Sequence, residues 1–176
     1  MLLDRLFRPR PALAVGRALY ARVVEQARRP VLYAALGAPD TPEGRFELYT
    51  LHVMLVLERL RAGGREAGEV SQALFDTYLK GLDDGLRELG VGDLSVGKKM
   101  RKLGEAFYGR GKSYDAALAA LPDRQPLESL LARTVYEGAD AARADALADY
   151  LLAQRAAIAE QPVERLAAGE IAWSAA

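Results

Sequence analysis

The chain has no cysteine, a single histidine and few aromatic residues, 7% for Phe, Trp and Tyr together. Without cysteine there is no disulfide, no thiolate nucleophile and no Cys-based metal site. With His52 as the only imidazole, a zinc site lacks its usual ligands. One copy of the chain likewise cannot supply the two histidines of a bis-histidine haem. Long apolar runs are also missing. The run Val53 to Leu57 stops at Glu58 and Arg59, far short of the roughly 20 residues a spanning helix needs. Alternation of apolar and polar residues with β-branched side chains is nearly absent, which argues against strands. The glycines form no phosphate-binding fingerprint. Gly90-Val91-Gly92 follows a helical pattern rather than a strand, and no Gly-Lys-Ser/Thr follows it at P-loop spacing; it reads as a helix stop and sharp turn.

What is present is helix-forming. Ala, Leu, Arg and Glu dominate a chain of 176 residues that is 51% hydrophobic and 27% charged, the composition of a soluble globular domain. Helices are predicted over Ala12–Arg28, Val31–Leu36, Glu43–Arg61, Val70–Leu89, Val96–Tyr108, Tyr114–Leu121, Leu127–Tyr136, Ala141–Ala159 and Val163–Trp173. Pro30 bounds the first of these. Asp40 or Thr41 can cap the third, Pro42 suits its first turn and Glu43 complements its positive end. The middle of that helix is apolar nearly all round, so it is expected to be central and buried. Gly109 and Gly111 are read as breaking the chain between Tyr108 and Tyr114. The expectation is a single-domain, all-α bundle of about seven to nine helices. Residues 1–18 form a basic-apolar segment and the start of the first helix, 19–159 the main domain, and 160–176 a C-terminal helix.

Net charge is zero, yet residues 1–30 are arginine-rich and residues 112–176 are acidic. Such polarity suits a protein with polarised partners better than a uniformly basic DNA binder. The end Met1 to Pro11 has neither the apolar region nor the cleavage site of a secretory signal. It is either a frayed terminus or a brief contact with a membrane interface. A cytoplasmic, bacterial protein is expected.

Few residues are candidates for chemistry. His52 is flanked by Leu51 and Val53, with no Ser, Cys or carboxylate in a recognisable motif beside it. It is read as a core histidine bonded to a neighbour rather than as a general base. No catalytic residue, metal ligand or cofactor-binding residue is assigned. The sharpest charge feature is Lys98-Lys99-Met100-Arg101-Lys102. Met100 turns inward on the helical pattern and leaves Lys98, Lys99, Arg101 and Lys102 outward. Such a face is either a contact for phosphate or an acidic partner, or an ordinary solvated surface. Tyr108, Arg110 and Tyr114 are either a polar-aromatic partner patch or the internal packing of a helix corner. Trp173, with Ile171, is expected to clamp the last helix onto the domain, with a partner or membrane contact as the other reading.

A series of short blocks gives the chain a likeness. These are Leu19-Tyr20, Gln26-Ala27-Arg28, Pro39-Asp40-Thr41, Gly44-Arg45-Phe46-Glu47-Leu48, Leu51-His52, Ser71 through Asp76, Leu86 through Asp93, Ser95 through Met100, Phe107-Tyr108-Gly109-Arg110 and Tyr114-Asp115. In order and spacing, from Leu19 to about Ala159, they resemble the ubiquinol–cytochrome c chaperone family, which includes mitochondrial assembly factors for respiratory complex III and alphaproteobacterial relatives. The resemblance implies a helical chaperone without catalytic residues. It implies newly made or unassembled cytochrome b as client, a ribosome near its exit tunnel and a small partner protein as further contacts, and work at or near the cytoplasmic face of the inner membrane. It also puts Lys98 to Lys102 and the Tyr108–Arg110 corner among family motifs. A ribosome- or RNA-associated translation factor is the alternative reading of the basic helix. An enzyme on a helical scaffold is a third, with no nucleophile, metal or cofactor motif behind it.

Overall fold

The computed structural model describes residues 11–138 and 141–175. The basic-apolar end is therefore, but for Pro11, outside the described residues. Among these, eight helices form one all-α domain and no strand occurs. They are α1 (Pro11–Ala27), α2 (Pro30–Ala34), α3 (Pro42–Leu60), α4 (Arg65–Glu88), α5 (Asp93–Ala119), α6 (Gln125–Thr134), α7 (Ala141–Ala159) and α8 (Val163–Ala167). No described helix is long and apolar enough to cross a membrane.

Helix α3 is the centre, as its all-round apolar pattern predicts. Leu48, Leu51, Val53, Leu55, Val56 and Leu60 are buried. Thr41 caps its start, with the Gly44 N–H donating to Thr41 Oγ1 at 3.1 Å, and Pro42 occupies the first turn where no N–H is needed.

Helix α1 runs parallel to α4 at very close range. A Cβ on Gly16 would lie 2.6 Å from the Ala73 carbonyl carbon and 2.7 Å from the Leu74 nitrogen, so only glycine fits there. One turn on, Tyr20 packs over Gly81 and meets Tyr78 edge-on, with ring centroids 6.4 Å apart.

Helices α4 and α5 are the longest, with 24 and 27 residues, hence about 36 and 40 Å at 1.5 Å per residue. Gly90, at φ 79, ends α4 as the pattern predicts. The Val91 N–H reaches the Leu86 carbonyl and the Gly90 N–H the Arg87 carbonyl, the paired bonds of a left-handed helix stop. The main core takes residues of α4 up to Leu82 and of α5 from Phe107 onward. Joined by the turn at residues 89–92, the two helices form a hairpin whose far end, with Val96 buried in it, lies outside that core.

Two expectations fail here. Gly109 and Gly111 do not break α5, which runs unbroken through both. A helical glycine costs only about 1 kcal/mol, and tertiary packing outweighs it. Tyr114 and Ala117 anchor the far half in the core. The C-terminal helix is also shorter than predicted. Gly169 at φ 89 ends it, with the Glu170 N–H on the Arg165 carbonyl and the Gly169 N–H on the Leu166 carbonyl. Residues 170–175 then run as a non-helical strap. Trp173 clamps the domain as expected, but from this strap rather than from a helix.

The α1–α4 approach is directly testable. Gly16→Val is expected to destabilise the fold by about 1–3 kcal/mol through overpacking, measured by urea unfolding. Ala14→Val, at an exposed position of the same helix, is expected to change it by less than about 0.5 kcal/mol.

Candidate interaction surface

A helix buried on every side must satisfy its polar side chains on neighbouring elements. Glu47 of α3 accepts two bonds from Arg110 of α5, from Nε at 3.0 Å and Nη2 at 2.8 Å. Thr50 and Tyr78 of α4 share a hydroxyl–hydroxyl bond of 2.7 Å. Glu58 accepts a forked pair from Arg155 of α7 at 3.0 and 2.6 Å. His52 is wholly buried. Its Nδ1 is 2.7 Å from the Leu48 carbonyl, which can only accept, so Nδ1 carries the proton. Nε2 then accepts from the Tyr150 hydroxyl at 2.8 Å, and that oxygen accepts in turn from Gln26 Nε2 at 2.8 Å. Both imidazole nitrogens are thus committed, and His52 is the bonded core histidine read from the sequence.

Burial dominates the ionisation of this interior. It lowers the His52 pKa to about 4, and the Leu48 bond offsets only part of that. It pushes Tyr150 up to about 12, with the bond from Gln26 acting the other way. Tyr114 is buried too and its pKa is raised well above the usual phenol value by desolvation; its hydroxyl has no partner among the described residues.

The seven candidate side chains therefore part company. Arg110 is spent on Glu47, which holds the guanidinium in its charged form. Tyr114 faces the core. For these two, the internal-packing reading is the one the geometry favours. Lys98, Lys99, Arg101 and Lys102 are exposed on the first half of α5. Arg101 has Glu105 at 4.0 Å, an exposed pair worth little. No carboxylate among the described residues pairs with Lys98, Lys99 or Lys102. Tyr108 is 63% exposed, its ring 5.9 Å from Phe75 and 6.0 Å from Phe107.

The structure adds residues that were not among the sequence candidates. Phe75, Leu79, Leu82 and Leu86 of α4 are only half-buried. Leu89, at the hairpin turn, is 64% exposed. Their three-to-four spacing predicts an apolar face and says nothing of whether another element covers it. Tyr108 and these side chains give the α4–α5 hairpin an apolar-aromatic surface, while the cations of α5 lie outward on the same hairpin. Large apolar side chains left in water commonly mark a contact site.

Comparison with known proteins places this geometry. The family described as ubiquinol-cytochrome C chaperone matches residues 34–173. The crystal structure of the Cbp3 homolog from Brucella abortus is similar with a TM-score of 0.85 and 37% sequence identity, over 99% of this chain and 97% of that one. Among curated proteins none matches. The family match starts later than the likeness traced from Leu19. It also passes Ala159 and takes in the strap as far as Trp173, a tail the sequence blocks had left aside.

Three outcomes separate interior from surface. Stability is expected to fall by about 3 kcal/mol as pH drops from 6.5 to 4, because the unfolded chain takes up a proton that folded His52 refuses. Chemical unfolding at a series of pH values, with the wild type referred to His52→Gln, isolates this contribution from that of the carboxylates. Arg110→Ala, which strips a buried carboxylate of its donors, is expected to cost about 2 kcal/mol. Tyr108→Ala is expected to stay within about 0.5 kcal/mol.

Proposed function

The chain belongs to the ubiquinol–cytochrome C chaperone family, and from that membership we propose that it holds newly made cytochrome b until the quinol–cytochrome c oxidoreductase is assembled. The role is one of binding, without catalysis. The observation that carries the proposal is the exposed Tyr108 beside half-buried Phe75, on a hairpin that ends in the exposed Leu89.

The physical task matches such a surface. An unassembled membrane subunit exposes helices that water disfavours, and an apolar-aromatic face can shield one of them. The lysines Lys98, Lys99 and Lys102 supply a charged rim for acidic loops of the client or for lipid phosphates at the cytoplasmic face of the inner membrane. A small partner protein belongs to the same proposal.

One observation favours a second contact. Three lysines without acidic partners among the described residues suit ribosomal RNA near the exit tunnel, and phosphate contacts by lysine need no sequence-specific readout. The two roles are compatible on one hairpin, because Tyr108 and the lysines occupy different sides of α5.

Complementation of a deletion strain tests both. Tyr108→Asp is expected to lower spectrally detected cytochrome b while leaving ribosome cosedimentation intact. Lys98→Glu, Lys99→Glu and Lys102→Glu together are expected to abolish cosedimentation. A deletion strain with normal levels of assembled oxidoreductase would overturn the client proposal, and unchanged cosedimentation of the triple variant would remove the ribosome from it.

A further inference from the structure

The strap at residues 170–175 is held through its main chain by two glutamine side chains. Gln154 of α7 is fully buried. Its amide takes both main-chain groups of Ser174: the Ser174 N–H donates to Oε1 at 2.8 Å, and Nε2 donates to the Ser174 carbonyl at 3.3 Å. Gln161, in the turn after α7, does the same for Ala172, with bonds of 2.8 and 2.7 Å. Two glutamine side chains thus take the place of a neighbouring strand. They address alternate residues of an extended segment, which is the register a β-strand presents on one edge. Ile171 and Trp173, two residues apart and so on one face, pack onto the core. The Trp173 ring stands edge-on to His52 at 5.4 Å.

We propose that this groove on α3 and α7 binds extended peptide segments, and that the strap is its resident, displaceable occupant. Three features carry the inference. First, every glutamine bond goes to main chain, so the groove selects an extended backbone and not the strap's sequence. Second, the floor beneath the strap includes a buried amide and an imidazole face, groups that aliphatic residues would replace if the purpose were only to seal a core. Third, the strap is an imperfect occupant, since the buried Trp173 Nε1–H has no acceptor among the described residues. A partner segment with an aliphatic side chain and, two residues on, a phenyl or leucyl side chain makes the same main-chain bonds without stranding a donor. Gly169, in the left-handed region at φ 89, is the point about which the strap can swing. The groove is independent of the α4–α5 surface.

Trp173 is the only tryptophan, so the full-length chain reports on its own strap. The probe is a synthetic peptide of residues 168–176 carrying Trp173→Phe, which has no indole emission. Titration is expected to give a saturable red shift of the protein's emission and easier quenching by acrylamide as the strap is displaced. The same peptide with Ile171→Asp is expected to give neither. In the protein, Gln161→Leu at a partly exposed position is expected to loosen the strap with the helical circular dichroism unchanged. Hydrogen exchange is expected to show the Ala172 and Ser174 amides opening without global unfolding. Emission that does not move with the Phe peptide overturns the proposal, as does exchange of these amides only by global unfolding. A shift that follows protein concentration without peptide, accompanied by dimers in light scattering, assigns the groove to a second copy's strap and overturns the partner reading.

Discussion

Burying one helix on all its sides forces its polar groups to find partners on whatever surrounds it. That constraint organises this molecule. Glu47, Thr50, His52 and Glu58 stand at successive heights along α3, and each is answered by another helix: Arg110 of α5, Tyr78 of α4, and Tyr150 and Arg155 of α7. Hydrophobic burial alone is indifferent to small rotations and slides. Directional bonds in a dry interior are not, because an unmade one leaves a stranded polar group. The hub therefore fixes where its neighbours sit as well as holding them.

Working surfaces follow from where the hub stops. It reaches α5 at Arg110, while the lysines lie a turn or more toward the other end of the helix, on the projecting hairpin. Residues there carry exposed apolar side chains and unpaired cations with little stake in the core. On the opposite flank, α7 uses one end of its Gln154 and Tyr150 neighbourhood to fasten the interior and the other to grip the strap. A buried hub with two surfaces outside it suits the proposed role of a holding protein. It must keep its own fold while lending surface to another chain. The similarity to the Brucella abortus protein, a TM-score of 0.85 at 37% identity, shows that this frame tolerates extensive sequence change.

Much of the architecture was legible in the sequence. Helix pattern, the Thr41 cap, the Gly90 stop and the buried character of residues 43–61 all depend on neighbours within a few positions. What was not legible depends on partners far along the chain. Arg110 and Tyr114 look like surface candidates until Glu47, 63 residues from Arg110, is seen to engage the arginine and the core to cover the tyrosine. Gly109 and Gly111 look like breaks because local propensity cannot weigh the anchoring of Tyr114 and Ala117 in the core. The strap was misread as helix for a related reason. Residues 163–173 carry no proline, and the left-handed turn at Gly169 with its glutamine partners outweighs the helical preference of the residues after it. The exposed apolar side chains of α4 follow the spacing of core residues, and spacing does not reveal which faces lack a cover.

The central claim is that the outer face of the α4–α5 hairpin, and not the hub, meets the client. A photo-crosslinking residue placed at Tyr108 in cells, with Arg17 on the exposed side of α1 as the control position, tests it most directly. Cytochrome b captured from position 108 and not from 17 is the predicted result. Capture from 17 alone, or from neither position in cells actively making the oxidoreductase, would contradict it.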